Sequence, residues 1–203
     1  MILVLAIAAR AADVDADGVA ALEIEPPMVA VDADLRASLD AGELYTTIRE
    51  GEGGLGMIVA NAPPSAVWSV IVDFDRYVDF LPYVTGSSVD ARTDAADHSV
   101  IDCTMELTTK GFVTRYTVRN TWWTDAGWMG FVMLPQPGNP LRQATGYWRV
   151  EAWNGDPNRS LVTYQVDATA DWWVPAFVRS KATDNAVPRV IKLVAKRAEG
   201  LSG

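Results

Sequence analysis

The 203-residue chain has one cysteine, Cys103, and one histidine, His98. A single thiol cannot close an intramolecular disulfide. One histidine and one cysteine fall short of the usual zinc ligand sets, and two-histidine haem or metal ligation is excluded by the same count. Any Ser-His-Asp or Cys-His catalysis would have to run through His98. Positive charge is also scarce: 17 Lys and Arg stand against 26 Asp and Glu, a formal net charge of −9. Nucleic-acid binding needs a basic surface, so nucleic acid is not an expected partner. No apolar run approaches the roughly 20 residues that span a bilayer. There are no internal repeats or low-complexity tracts, and no cofactor is expected.

What is present points to one globular domain. Nearly half the residues are hydrophobic (49%) and 21% are charged, enough to build a sizeable core. Tryptophan is over-represented: there are eight, seven of them between Trp122 and Trp173. Such rings suit a wide apolar cavity, a membrane interface or an aromatic-rich core.

Residues Ile2–Ala9 (ILVLAIAA) form a short apolar run followed by small residues up to Ala12. Residues 1–12 read as a truncated signal peptide, although no basic residue precedes the run and Arg10 sits near the cleavage point. The expected location is periplasmic or secreted. If the run is instead a buried strand or an ordinary apolar start, the location is cytoplasmic. Residues 13–42 form an acidic, loosely attached arm with Pro26-Pro27. It ends in a short helix over 32–41, where Leu35 and Leu39 stand at i, i+4 and Gly42 follows.

From residue 43 the pattern alternates between strand and helix. Strands are predicted over 43–49 and 55–62. Pro64 then opens a helix whose apolar face is Val67, Trp68, Ile71 and Phe74. A second short helix spans 75–80. Six strands follow, over 84–93, 99–108, 114–123, 128–134, 144–153 and 161–172, with breaks short enough for an antiparallel meander. A final helix begins at Pro175 and carries Val187, Val190, Ile191, Val194 and Ala198 on one face. Pro188 is predicted to kink or divide it near Ala186. The fold class is α+β: a curved antiparallel sheet of about seven strands around a long C-terminal helix, with two short helices after the first strand. A hollow between sheet and helix is the natural place for a small ligand.

The residues Ala62-Pro63-Pro64-Ser65-Ala66-Val67-Trp68, Asp73-Phe74-Asp75-Arg76-Tyr77 and Phe80-Leu81-Pro82-Tyr83-Val84 resemble the opening motif of the START-like (SRPBCC, helix-grip) superfamily. Within it the chain is most similar to bacterial polyketide cyclase/dehydrase-like and coenzyme Q-binding-like members. The resemblance covers about residues 43–200 and implies a START-like ligand-binding domain over 43–203. The motif speaks for fold rather than for chemistry. Asp73 and Asp75 lie within it, but nothing near them supplies a base or a metal, so they read as helix-end charges.

Alternation sorts the strands into faces. The inward set includes Ile101, Cys103, Met105 and Leu107, then Tyr116, Val118, Asn120 and Trp122. It continues with Trp148 and Val150, then Val162, Tyr164, Val166, Ala168 and Ala170. From these, Cys103, Met105, Tyr116, Val118, Asn120, Trp122, Trp148, Tyr164, Val166, Ala168 and Ala170 are expected to line the cavity, with Val187 and Ile191 facing them from the helix. Ala168 and Ala170 leave room. Asn120 is the polar exception, either holding a ligand head group or satisfying a local irregularity. Cys103 reads as a core thiol and His98 as a solvated turn residue. No catalytic or metal-binding residue is assigned. Resemblance makes the loop Leu134, Pro137, Leu141 a lid over the entrance, and Trp172 and Trp173 flank the same opening.

The expected function is binding of a hydrophobic small molecule (lipid, isoprenoid or quinone-like) as a carrier or sequestering protein. A polyketide cyclase or aromatase using Tyr116, Tyr164 and Asn120 is the alternative, as is a partner-binding module of a quinone-dependent complex. A monomer is expected. Residues 175–203 hold six Lys or Arg against two Asp or Glu, which leaves transient contact with a membrane surface open.

Overall fold

The computed structural model describes residues 25–49, 53–109, 112–170 and 186–202. Along them run α1 (Ala33–Asp40), β1 (Tyr45–Arg49), β2 (Gly53–Ala60) and α2 (Pro64–Ile71). A 3₁₀ turn (Phe74–Arg76) and α3 (Tyr77–Phe80) follow. Then come β3 (Val84–Asp94), β4 (Ser99–Thr109), β5 (Phe112–Trp123), β6 (Trp128–Met133), β7 (Leu141–Trp153), β8 (Asp156–Ala170) and α4 (Ala186–Ser202). Residues 1–24, Trp172, Trp173 and the helix start at Pro175 lie outside the described residues.

The fold is α+β, with one antiparallel sheet in the order β1-β2-β8-β7-β6-β5-β4-β3. Its eight strands are one more than about seven, and the two short helices follow the second strand. β1, within the strand predicted over 43–49, folds back along the edge of β2 from Tyr45↔Met57 to Arg49↔Gly53. Gly53, the first residue of β2, has φ +131, and a Cβ there would lie 2.0 Å from the Val166 carbonyl oxygen. Only glycine fits. At the opposite end, β7 and β8 are joined by Asn154 (φ 52) and Gly155 (φ 76). Two successive positive φ values give the tight hairpin turn that Asn-Gly favours. β8 therefore starts at Asp156, five residues earlier than alternation alone suggests.

Helix α4 lies against β2, β8 and α2. Val187, Ile191, Val194 and Ala198 are fully buried on one face of it. Each buried Val or Ile contributes roughly 1.5–3 kcal/mol. Pro188 is the third described residue of this helix, and the kink or division predicted near Ala186 falls at the edge of the described residues. Gly56 permits the close approach: a Cβ there would sit 3.1 Å from Val187 Cγ1 and 3.4 Å from Ile191 Cγ2. The helix is tied at both ends. Arg189 donates to the Tyr83 hydroxyl at 3.0 Å, and Glu199 accepts from the Asn61 backbone N–H at 2.8 Å.

The short helices are fastened by side chains that reach carbonyls. Tyr77 donates its hydroxyl to the Ile71 carbonyl at 2.6 Å, satisfying the C-terminus of α2. Ser160 on β8 donates to the Ala62 carbonyl at 2.7 Å and fixes the β2–α2 turn.

A second cluster sits on the outer face of the sheet. Leu39, Met57, Val59, Trp153 and Leu161 are buried there, with Val29, Val31 and Leu35 packed against them. Asp32 caps α1 by accepting from Leu35 N at 2.9 Å. Arg149 donates to Glu25 at 2.5 Å and to the Pro26 carbonyl at 3.0 Å. The described part of the acidic arm is therefore packed rather than loose. The reason is β2, a continuous apolar run that needs cover on both faces.

Candidate functional site

Strand pairing places the inward residues on one surface. Cys103 pairs with Val118 and Met105 with Tyr116. Trp148 pairs with Tyr164 and Ala144 with Ala168. Along each of three strands, burial changes with depth. On β4, Ile101 and Cys103 are buried, while Met105 and Leu107 keep accessible surface. On β5, Asn120 and Val118 are buried and Tyr116 is partly accessible. On β8, Val162 is buried, whereas Tyr164, Val166, Ala168 and Ala170 remain partly accessible. All the accessible positions lie toward one end of the sheet, where β3, β7 and α4 begin and β4, β6 and β8 end. The inner face is fully buried at one end and partly accessible at the other.

Burial at Tyr116 and Tyr164 pushes both phenols above their ordinary pKa. They nonetheless retain accessible area. Ala144 and Ala168 face each other across β7 and β8, and Gly146 is covered by the Phe131 ring, whose Cζ would lie 2.5 Å from a Cβ there. Aromatic rings pack along this face. Trp148 and Tyr164 stack at 4.1 Å, Phe131 lies 6.1 Å from Tyr164, and Trp68 lies 5.4 Å from Trp122. Trp68 on α2 and Phe131 on β6 are thus buried ring neighbours of this face that alternation did not single out. The run Trp128–Met133 is apolar on both faces, so its inward set has no readable signal.

Cys103 is buried, and burial pushes its thiol up to about 12. It is protonated and unreactive at neutral pH. Asn120 donates from its amide nitrogen to the carbonyls of Ile101 at 3.1 Å and Val118 at 3.3 Å. The same nitrogen contacts Cys103 Sγ at 3.4 Å. The β4–β5 pairing around it is regular, so no bulge needs this side chain. His98 faces Asp97 at 2.8 Å and stacks on Trp123 at 4.6 Å, at the far end from the opening. Among the described residues no group of three His, Cys, Asp or Glu could hold a metal ion, and no helix is long and apolar enough to cross a membrane.

The loop carrying Leu134 and Pro137 and leading to Leu141 continues where β6 stops. Pro135, Pro137 and Pro140 cannot donate to a ladder, so the strand ends before them. Leu134 N still reaches the Thr117 carbonyl at 2.8 Å. Asn139 donates to the Arg115 carbonyl at 2.7 Å and accepts from Leu141 N at 3.0 Å. The loop fills the gap between β5 and β7 beside the open end. A shallow surface depression of about 380 Å³ separates it from Val113, Thr114 and Arg115.

An antiparallel sheet gripping a terminal helix is a START-like fold. Residues 60–193 match the family described as polyketide cyclase/dehydrase and lipid transport. The chain belongs to that family. Its fold is similar to that of a Thermus thermophilus protein (TM-score 0.60, 16% identity, covering 75% of this chain and 99% of that one). It is also similar to the Zhui aromatase/cyclase from a Streptomyces species (TM-score 0.57, 14% identity, 79% and 94%). A third similar structure is a STAR-related lipid transfer protein from Xanthomonas axonopodis (TM-score 0.59, 17% identity, 76% and 92%). A sequence comparison with curated proteins finds no match.

Proposed function

We propose that the protein binds one hydrophobic small molecule between the inner sheet face and α4, as a carrier or sequestering protein. Lipid, isoprenoid and quinone-like molecules fit the reading. The observation that carries it is the burial gradient: Tyr164, Val166, Ala168 and Ala170 face the interior but stay accessible, while Val162 on the same strand face is fully buried. Apolar surface left open to an enclosed space favours an apolar occupant.

The kinship with an aromatase/cyclase favours a second reading, an enzyme acting on a polyketide. Tyr116 and Tyr164 would be its polar groups. Phenols held above their ordinary pKa stay protonated at neutral pH, so they can donate a hydrogen bond but are not available as bases. That favours binding over proton abstraction.

The apolar run Ile2–Ala9 supports a periplasmic or secreted setting. Transient membrane contact is supported by α4, whose Lys192 and Lys196 are exposed while Arg189 and Arg197 lie over the rings of Tyr83 and Phe80.

Native mass spectrometry of freshly purified protein, with solvent extraction, tests the carrier reading. A stoichiometric lipid or quinone is the expected result. Ala168→Trp should fill the hollow and abolish retention while the protein still folds. An empty wild-type protein that takes up nothing from a lipid and quinone panel would overturn the carrier reading.

A further inference from the structure

We propose that the outer face of β5, β6 and β7 is a docking surface for residues 19–24 of the same chain. This surface lies on the opposite side of the sheet from the ligand site proposed above, and the inference stands whether or not that site is used.

The path of the arm leads to it. Leu35, Val31 and Val29 pack with Leu39, Met57 on β2 and Leu161 on β8. Nearer the N-terminus, Arg149 on β7 holds Glu25 at 2.5 Å and the Pro26 carbonyl at 3.0 Å. In the strand order these contacts run β2, β8, β7, so the arm crosses the sheet in one direction. The next strands on that line are β6 and β5. Strands lie about 4.8 Å apart and an extended residue spans about 3.3 Å, so roughly three residues beyond Glu25 reach β5.

The face there is shaped to be covered. Arg149 pairs with Trp128 and Trp128 with Trp123; the next row runs Tyr147, Gly130, Thr121. Glycine in the middle of that row leaves a recess between Tyr147 and Thr121, beside the Trp128 ring. Trp128 is 3% exposed, Tyr147 7% and Thr121 2%, yet Trp128 and Tyr147 belong to neither buried cluster of the described residues. Two polar atoms are also left over. Thr121 Oγ1 and Trp123 Nε1 are buried without a hydrogen-bond partner. Both can donate, and the carbonyls of a chain segment laid across them can accept.

The sequence of the segment fits the recess. Leu22 and Ile24 alternate with Glu23 and Glu25. Glu25 keeps 53% of its side chain exposed while it holds Arg149. In an extended chain the alternate positions, Leu22 and Ile24, then face the sheet, and Glu23 faces solvent with Glu25. Two branched apolar side chains over a glycine floor and an indole wall lose their water contact there.

Nuclear magnetic resonance of the full chain tests this. The Leu22 and Ile24 methyls should show Overhauser contacts to the Trp128 ring and the Thr121 methyl, unchanged on dilution. Leu22→Asp combined with Ile24→Asp should speed solvent exchange of the Trp123 indole N–H by about tenfold or more, and leave the Trp148 indole as in the wild type. Val14→Asp, upstream of the segment, should alter neither. Absence of the methyl contacts would overturn the inference, as would Trp123 exchange that is unchanged in the double variant. Contacts that arise only between differently labelled chains would overturn it too, by placing the segment of a second copy on this face.

Discussion

Trp148 on β7 and Tyr164 on β8 are direct cross-strand partners whose rings stack with centroids 4.1 Å apart. The pair lies where the fully buried part of the inner face gives way to the partly accessible part. Trp148 is buried, while Tyr164 keeps accessible surface. One ring therefore belongs to the core and the other to the wall.

This division predicts opposite outcomes for two substitutions. Trp148→Ala removes a buried indole and its stacking partner, and should cost about 3–5 kcal/mol. Tyr164→Phe keeps the ring and removes a hydroxyl without a described partner, so stability should change by less than about 0.5 kcal/mol. Urea unfolding of both variants measures the difference. A large loss in Tyr164→Phe would mean that its hydroxyl is tied into the fold.

Much of this arrangement was legible in the sequence because alternation reports which face a residue occupies. Cys103, Tyr116 and Tyr164 fall on one inner surface as that period requires. Depth is another matter: nothing in a period of two distinguishes buried Val162 from accessible Val166. Residues Trp128–Met133 hid their inward set because the outer face is also apolar, with Trp128 buried beneath Trp123 at 5.9 Å. The packing of the arm was equally hidden. Its partners, Trp153 and Leu161, are more than 110 positions away from Leu39 in the chain.

The interior should also set the response to alkali. Burial raises the pKa values of Cys103, Tyr77, Tyr116 and Tyr164 above their ordinary values of 9.0 and 10.0. Between the unfolded and folded pKa the native state holds more protons than the unfolded state, so stability falls as pH rises. The contribution is complete below about pH 9 and is lost on going through pH 9–12, by up to about 1.4 kcal/mol per pH unit for each such group. Urea midpoints at pH 8 and pH 10.5 should therefore decrease. Native Cys103 should resist a thiol reagent at pH 8 and react fully in urea. Rapid native labelling would contradict its buried, protonated state.

On the outer face, Trp153 Nε1 donates to Asp40 at 2.6 Å. Asp40 also faces Arg159 at 3.4 Å, but both side chains are substantially exposed and that pair is worth little. The hydrogen bond to the buried indole is the stronger link. Asp40→Asn keeps an acceptor and should be nearly neutral. Asp40→Ala strands the indole N–H and should cost about 1–3 kcal/mol. Equal losses in the two variants would instead assign the contribution to charge.

The loop beside the opening depends on Asn139, which is buried although it sits between Gly138 and Pro140. Its amide closes two bonds at once, donating to the Arg115 carbonyl and accepting from Leu141 N. Together they hold the proline-rich segment against β5, where a longer β6 would otherwise pair. Asn139→Ala removes both bonds and leaves the Arg115 carbonyl short of a donor. The expected cost is about 2 kcal/mol, concentrated in the loop rather than in the sheet. Hydrogen exchange separates the two possibilities. The Leu141 amide should lose protection about 30-fold in the variant, while Val150 and Val162, in the solid part of the same sheet, should exchange as in the wild type. If Val150 and Val162 lose protection equally, Asn139 supports the whole sheet and the loop is not a separately opening unit.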